Sequence, residues 1–109
     1  MFMVVYRFGE IMIDFDNLVA KRNGERIDLS PREFKLLKYF IEHKGEAVTR
    51  EELLRAVWGY SFPSTRRVDM HVSNLRKKVE RIPKDPRYII TEYSIGYRFI
   101  GSVEVMKLN

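Results

Sequence analysis

Cysteine is absent from this 109-residue sequence, which excludes disulfides, thiolate metal sites and a cysteine nucleophile. The only two histidines, His43 and His71, are well separated and cannot form a His-rich metal site. Six glycines and four prolines beside 45% apolar content describe an ordinary globular protein rather than a disordered chain. Neither a repeat nor a low-complexity tract occurs. No run approaches the roughly 18 apolar residues of a membrane span, and Met1 to Tyr6 is too short for the apolar region of a signal peptide with its cleavage site. The expectation is one domain over residues 1–109, cytoplasmic and without a membrane partner. Acidic residues are scattered as helix caps and ion-pair partners, no Gly-rich phosphate loop occurs, and the Ser, His and Asp of the most basic segment sit beside apolar positions without a pocket. Catalysis is therefore not the reading, and the sequence calls for no metal or cofactor.

What is present is a concentration of charge. Residues 64–84 hold seven basic residues against two acids, while the remaining thirteen Lys and Arg balance thirteen Asp and Glu. On a helical wheel Val68, Val72, Leu75, Val79 and Ile82 share one narrow arc, the signature of a seam buried in a core. The opposite arc carries Arg66, Arg67, Met70, Ser73, Asn74, Lys77 and Arg81. Burying the seam turns a cationic, hydrogen-bonding face outward, a design suited to a nucleic-acid groove.

The rest of the chain sets the context for that helix. Strands are expected at about 4–8, 11–15, 18–21 and 26–29, with Asn23-Gly24 marking a tight hairpin in a small antiparallel sheet. Ser30-Pro31-Arg32-Glu33 is a capping box with proline at the first helical position; it opens a helix over 31–43 whose Phe34, Leu36, Leu37, Phe40 and Ile41 face inward. Gly45 is placed to end it. Thr49-Arg50-Glu51-Glu52 repeats the device and opens a second helix over 50–58, with Leu53, Leu54, Val57 and Trp58 on its apolar side and Gly59 as its stop. Ser64 or Thr65 caps the basic helix, expected over 65–82 and ended by Pro83 and Pro86. Residues 88–100, β-branched and aromatic around Ser94-Ile95-Gly96, predict a terminal hairpin. An α+β chain in this order, with a small N-terminal sheet, three helices and a β-hairpin wing, is a winged helix-turn-helix. Such a domain places its last helix in the major groove, where phosphates demand Lys and Arg and base edges demand paired hydrogen bonds. Asn74 has the chemistry to read an adenine edge, and Met70 can pack on a thymine methyl. The reading is sequence-specific binding of double-stranded DNA.

Several stretches then resemble one family in its own order: Leu29-Ser30-Pro31-Arg32-Glu33-Phe34-Lys35-Leu36-Leu37, Arg50-Glu51-Glu52-Leu53-Leu54 with Val57-Trp58-Gly59, Arg67-Val68-Asp69-Met70-His71-Val72-Ser73-Asn74-Leu75-Arg76-Lys77-Lys78, and Gly96-Tyr97-Arg98-Phe99. The chain is similar to the C-terminal effector domains of OmpR/PhoB-type response regulators of two-component systems. The resemblance implies transcription regulation at promoter DNA, often as head-to-tail pairs on direct repeats, with RNA polymerase as second partner. It puts Arg66, Arg67, Met70, Ser73, Asn74 and Lys77 on the DNA side of the recognition helix, and His71 and Arg76 at phosphates; the alternative for His71 is a boundary histidine. Asp69, acidic amid bases, is expected to orient a neighbouring cation. Trp58 matches the family's tryptophan, chiefly a packing residue. The loop 59–65, with Tyr60, Ser61 and Phe62, corresponds to the segment that relatives turn toward polymerase, the alternative being that its aromatics tuck onto the core.

Two departures stand out. Where many relatives carry a wing-tip arginine for the minor groove, this chain has Tyr93, so wing contact is expected at phosphate through Thr91, Tyr93 or Arg98, weakened by Glu92. No receiver domain precedes the first strand, which reads as either an excised effector domain or a stand-alone regulator. The rival function is a winged-helix protein-interaction module without DNA binding, whose mark would be an acidic or apolar third helix.

Overall fold

The computed structural model describes residues 3–59 and 64–109; the expectation for Tyr60, Ser61 and Phe62 lies outside the described residues. Four strands open the chain, β1 Met3–Phe8, β2 Ile11–Asp14, β3 Val19–Arg22 and β4 Glu25–Ile27. The β3–β4 turn places both Asn23 (φ 51°) and Gly24 (φ 82°) in the left-handed region, the backbone of the tight hairpin that Asn-Gly favours. Helix α1, Pro31–Glu42, has the full capping box: Ser30 Oγ accepts from Glu33 N–H while Glu33 Oε1 accepts from Ser30 N–H. Its Phe34, Leu36, Leu37 and Phe40 are buried, and Lys35, Lys38 and Glu42 face solvent.

Strand β5, Ala47–Thr49, leads into α2, Arg50–Leu53, which continues as a π-helical turn over Leu54–Trp58 before Gly59. Thr49 caps α2 through its hydroxyl, but Glu52 does not return the bond of a capping box: its carboxylate accepts from Tyr39 Oη on α1. Burial and this bond push the Tyr39 phenol up to about 12. Helix α3 spans Arg66–Val79, and the wing follows as β6 Ile89–Glu92 and β7 Gly96–Phe99. The chain ends in β8, Glu104–Leu108.

The strands form two antiparallel sheets, ordered β4-β3-β2-β1-β8 and β5-β7-β6. Between them lies a core in which Phe8, Ile11 and Ile13 of the first sheet meet Leu36, Leu37 and Phe40 of α1, the α3 seam, and Ile89 and Phe99 of the wing. The seam is as expected over Val68, Val72, Leu75 and Val79, all buried. Ile82 is a correction: helix α3 stops at Val79, three residues before the expected end, and Ile82 is 53% exposed. The cause is Glu80. Its side chain turns inward, 1% exposed, and accepts the backbone N–H groups of Arg87, Tyr88 and Ile89 at 2.8–3.0 Å, so the chain leaves the helical path to wrap that carboxylate. Arg22 of β3 closes the helix end from the other side, donating to the carbonyls of Lys78 and Glu80, as cations near helix C-termini do. Every buried side-chain polar atom among the described residues has a partner. No helix among them is long and apolar enough to cross a membrane.

Candidate nucleic-acid interface

Sinking Val68, Val72, Leu75 and Val79 into the core fixes the rotation of α3 about its axis. As a result Arg66, Arg67, Met70, Ser73, Asn74 and Lys77 are all exposed, with Met70 at 57%. The helix enters from Thr65, whose side chain makes no capping bond; Ser64 Oγ accepts from Arg66 N–H instead. Arg76, Lys77 and Lys78 crowd the last turn, where positive charge is favourable. Lys78 is drawn away to Glu33 of α1, Nζ to Oε1 2.7 Å, so it ties α3 to α1.

The side chains read from sequence as backbone contacts are placed differently from those on the outward arc. Arg76 is half-buried and reaches into the wing: Nε and Nη2 donate to Ile89 O at 3.0 and 2.8 Å, and Nη2 also donates to Thr91 Oγ1 at 2.9 Å. Arg98 donates to Glu92 Oε1 at 2.7 Å and to Gly45 O at 2.6 Å. Thr91, Arg76 and Arg98 are thus brought into bonds that set the wing against α3 and α1's end. Since Glu92 and Arg98 are the only charged residues from Ile89 to Phe99, the wing is electrically neutral. At its tip Tyr93 is 86% exposed and Ile95 46%, held by a three-residue turn with Ser94 at φ 70°.

His71 is half-buried, its Nδ1 2.9 Å from Arg67 O and its ring edge-on to Trp58 at 5.0 Å. Trp58, itself half-buried, carries the Arg32 guanidinium over its ring at 5.4 Å. Asp69 does orient a cation, as expected of an acid on this helix, but the cation comes from α2: Arg50 Nε donates to Asp69 Oδ1 at 2.7 Å, and Tyr97 Oη donates to the same oxygen. Burial raises the Tyr97 phenol, as does the bond to Asp69; the bond to Asp69 also raises Arg50. The guanidinium groups of Arg50 and Arg76 stand 5.0 and 5.4 Å from the Tyr97 ring centre. One tyrosine of the wing is therefore gripped by α2 and α3 together, and this linkage is not legible in the sequence. Glu80 was missed for a similar reason: an acid among bases gives no hint that its partners are backbone N–H groups seven to nine residues on. Among the described residues no group of acids and histidines is arranged to hold a metal.

Residues 24–99 match the family model described as "Transcriptional regulatory protein, C terminal". Among solved structures, the response regulator DrrB of Thermotoga maritima, an OmpR/PhoB homologue, superimposes with a TM-score of 0.81 at 39% identity, over 89% of this chain and 44% of DrrB. The DNA-binding domain of E. coli CadC gives 0.81 at 32% identity over 95% and 98% of the two chains. The Klebsiella pneumoniae RstA DNA-binding domain, solved in complex with the RstA box, gives 0.78 at 32% over 88% and 96%. The chain spans less than half the length of DrrB and nearly all of the CadC and RstA domains. Matched over most of its length, with the α3 and wing architecture described above, the chain belongs to the family of C-terminal domains of transcriptional regulatory proteins of the OmpR/PhoB type.

Proposed function

We infer that this chain is a non-catalytic DNA-binding effector domain, a single unit over residues 1–109, that regulates transcription from the cytoplasm by reading duplex promoter DNA. The observation that carries the reading is the two-sidedness of α3: a fully buried apolar seam opposite six exposed residues of which three are cationic. Asn74 and Met70 face base edges in the major groove, with Arg66, Arg67, Ser73 and Lys77 around them at phosphates and neighbouring bases. The protein itself occupies several of the side chains read from the sequence as DNA contacts. Arg76, Thr91 and Arg98 act chiefly by positioning the wing, His71 presents its second ring nitrogen toward the backbone, and Tyr93 makes the wing's contact. RstA and AdeR domains solved with DNA support this use of the fold, as does the basic balance of α3, which disfavours the protein-interaction rival. The response-regulator setting, head-to-tail pairing on direct repeats, and an RNA polymerase contact through Tyr60, Ser61 and Phe62 belong to the same proposal.

The reading is tested by salt. Neutralising about four to six phosphates releases counterions, so log K for a duplex should fall with log salt at a slope of roughly −4 to −5. Absence of binding at low salt, or binding indifferent to salt, would favour the protein-interaction module. Within α3, Asn74→Ala should cost about 1–3 kcal/mol on the preferred site and relax preference at one or two base pairs. A uniform loss across a panel of point-mutated sites would remove Asn74 from base reading.

A further inference from the structure

We propose that the sugar–phosphate strand separating the two DNA grooves is seated in a cleft between the wing and the loop after α3, with Lys84 as its phosphate contact and Tyr93 as its sugar contact. The proposal rests on the DNA-binding reading and adds an element to it: the loop 81–87, which neither helix nor wing explains.

The cleft has one wall of Pro83, Lys84 and Pro86 and a facing wall of Ile90, Thr91 and Tyr93. Arg76 lines it, and it continues along the end of α3 past Ser73, Lys77 and Ile82. Its position is the first argument. A winged helix that fills a major groove and extends its wing to the neighbouring minor groove must let one backbone strand pass between helix and wing, and this cleft is what lies there. Its chemistry is the second. Deoxyribose offers apolar faces and each phosphate a charge; the cleft offers proline, isoleucine and tyrosine beside the cations Arg76, Lys77 and Lys84, and no carboxylate among the described residues lines it. Arg76 is held by Ile89 O and Thr91 Oγ1, so its charge stands at a fixed point of the cleft.

The loop after α3 is also preorganised. The loop is fastened at one end by Glu80, which binds the N–H groups of Arg87, Tyr88 and Ile89, and is closed internally by Asp85 N–H to Ile82 O at 2.9 Å. Prolines 83 and 86 fix two more backbone angles. Lys84 therefore stands on a built ledge, and docking a phosphate orders little beyond its own side chain. The arrangement also gives a use to Ile82 and Tyr93, 53% and 86% exposed, which no packing within the protein requires. With the wing neutral, Lys84 supplies a cation beside it from the opposite wall of the cleft.

The test compares the intact protein with Lys84→Ala, Lys84→Arg, Tyr93→Ala and, as a control for loss of one exposed positive charge, Lys107→Ala on the outer strand of the other sheet. Each is titrated with a selected duplex over a range of salt and mapped by phosphate ethylation interference. Lys84→Ala should weaken every sequence alike, by about three- to tenfold near 0.1 M salt, and flatten the slope by about 0.9. Interference should disappear at one phosphate beside the recognised bases. Lys84→Arg should restore the slope. Tyr93→Ala should weaken binding with the slope unchanged, because a neutral ring releases no counterion, and Lys107→Ala should match the wild type. Lys84→Ala with a wild-type slope and interference pattern overturns the cleft assignment, while leaving α3 as the reader if Asn74→Ala still changes site preference. A wild type with no affinity for duplex at low salt would overturn both.

Discussion

Glu80→Ala is expected to lose about 3–5 kcal/mol of stability in urea denaturation, a large effect for one solvent-shielded acid. The carboxylate is 1% exposed and accepts from Arg87 at 2.8 Å, Tyr88 at 3.0 Å and Ile89 at 2.8 Å. Truncation leaves these donors without acceptors, and Ile89 is itself fully buried, so the cost is desolvation of polar groups rather than loss of a favourable contact. Glu80→Gln keeps one acceptor oxygen and should fall between. The damage should be local in its functional effect: residues 81–88 lose their anchor while the α3 seam stays packed. A loss below about 1 kcal/mol for the alanine variant would show that water or a backbone shift replaces the carboxylate, and the loop would then be no rigid ledge.

Gly96→Ala should be comparably severe, at about 3 kcal/mol or more, at the upper end of what overpacking costs. A Cβ at this position would lie 2.1 Å from Val48 O and 3.0 Å from Thr49 Cα. Both atoms are backbone of β5, and Gly96 is paired with Thr49 in the sheet, so no side-chain rotation relieves the clash; the strands must part. Gly24→Ala provides the contrast. Nothing lies within 4 Å of its Cβ, and the only penalty is the φ of 82°, worth about 1–2 kcal/mol. Chemical denaturation of both variants checks this: equal losses would mean that space is not what Gly96 provides.

Elements whose cause is local were legible in the sequence. The Ser30 box, the Asn23-Gly24 turn and the spacing of Val68, Val72, Leu75 and Val79 each act within a few residues, and each stands as read, with strand limits off by a residue or two. Elements defined by distant partners were not. Strand β5 is three residues long with no alternation of its own and exists because β7 pairs with it. Strand β8 finds its partner about a hundred residues away in β1, and periodicity carries no trace of such a pairing. The end of α3 misled for a third reason: Ile82 continues the seam's spacing faithfully, while the competing signal, backbone N–H groups gathered on Glu80, is invisible in a string of letters. The π-helical turn at Leu54–Trp58 likewise leaves the apolar pattern intact. The outward face of α3 was readable because burial of the seam dictates it; the commitments of Arg76, Arg98 and Tyr97 were not, since each depends on how the wing folds back.

The pairing of β1 with β8, Met3 opposite Leu108, has a consequence for the order of events during synthesis. The helices and wing are complete by Phe99 and contain the local contacts that form early. Strand β1, however, keeps an open edge until β8 has left the ribosome, so the first sheet is finished only when residues about a hundred positions later in the chain arrive. Until then β1 displays unpaired N–H and C=O groups beside the apolar side chains of a half-built sheet, the state in which a nascent chain is most exposed to joining a neighbour instead of itself.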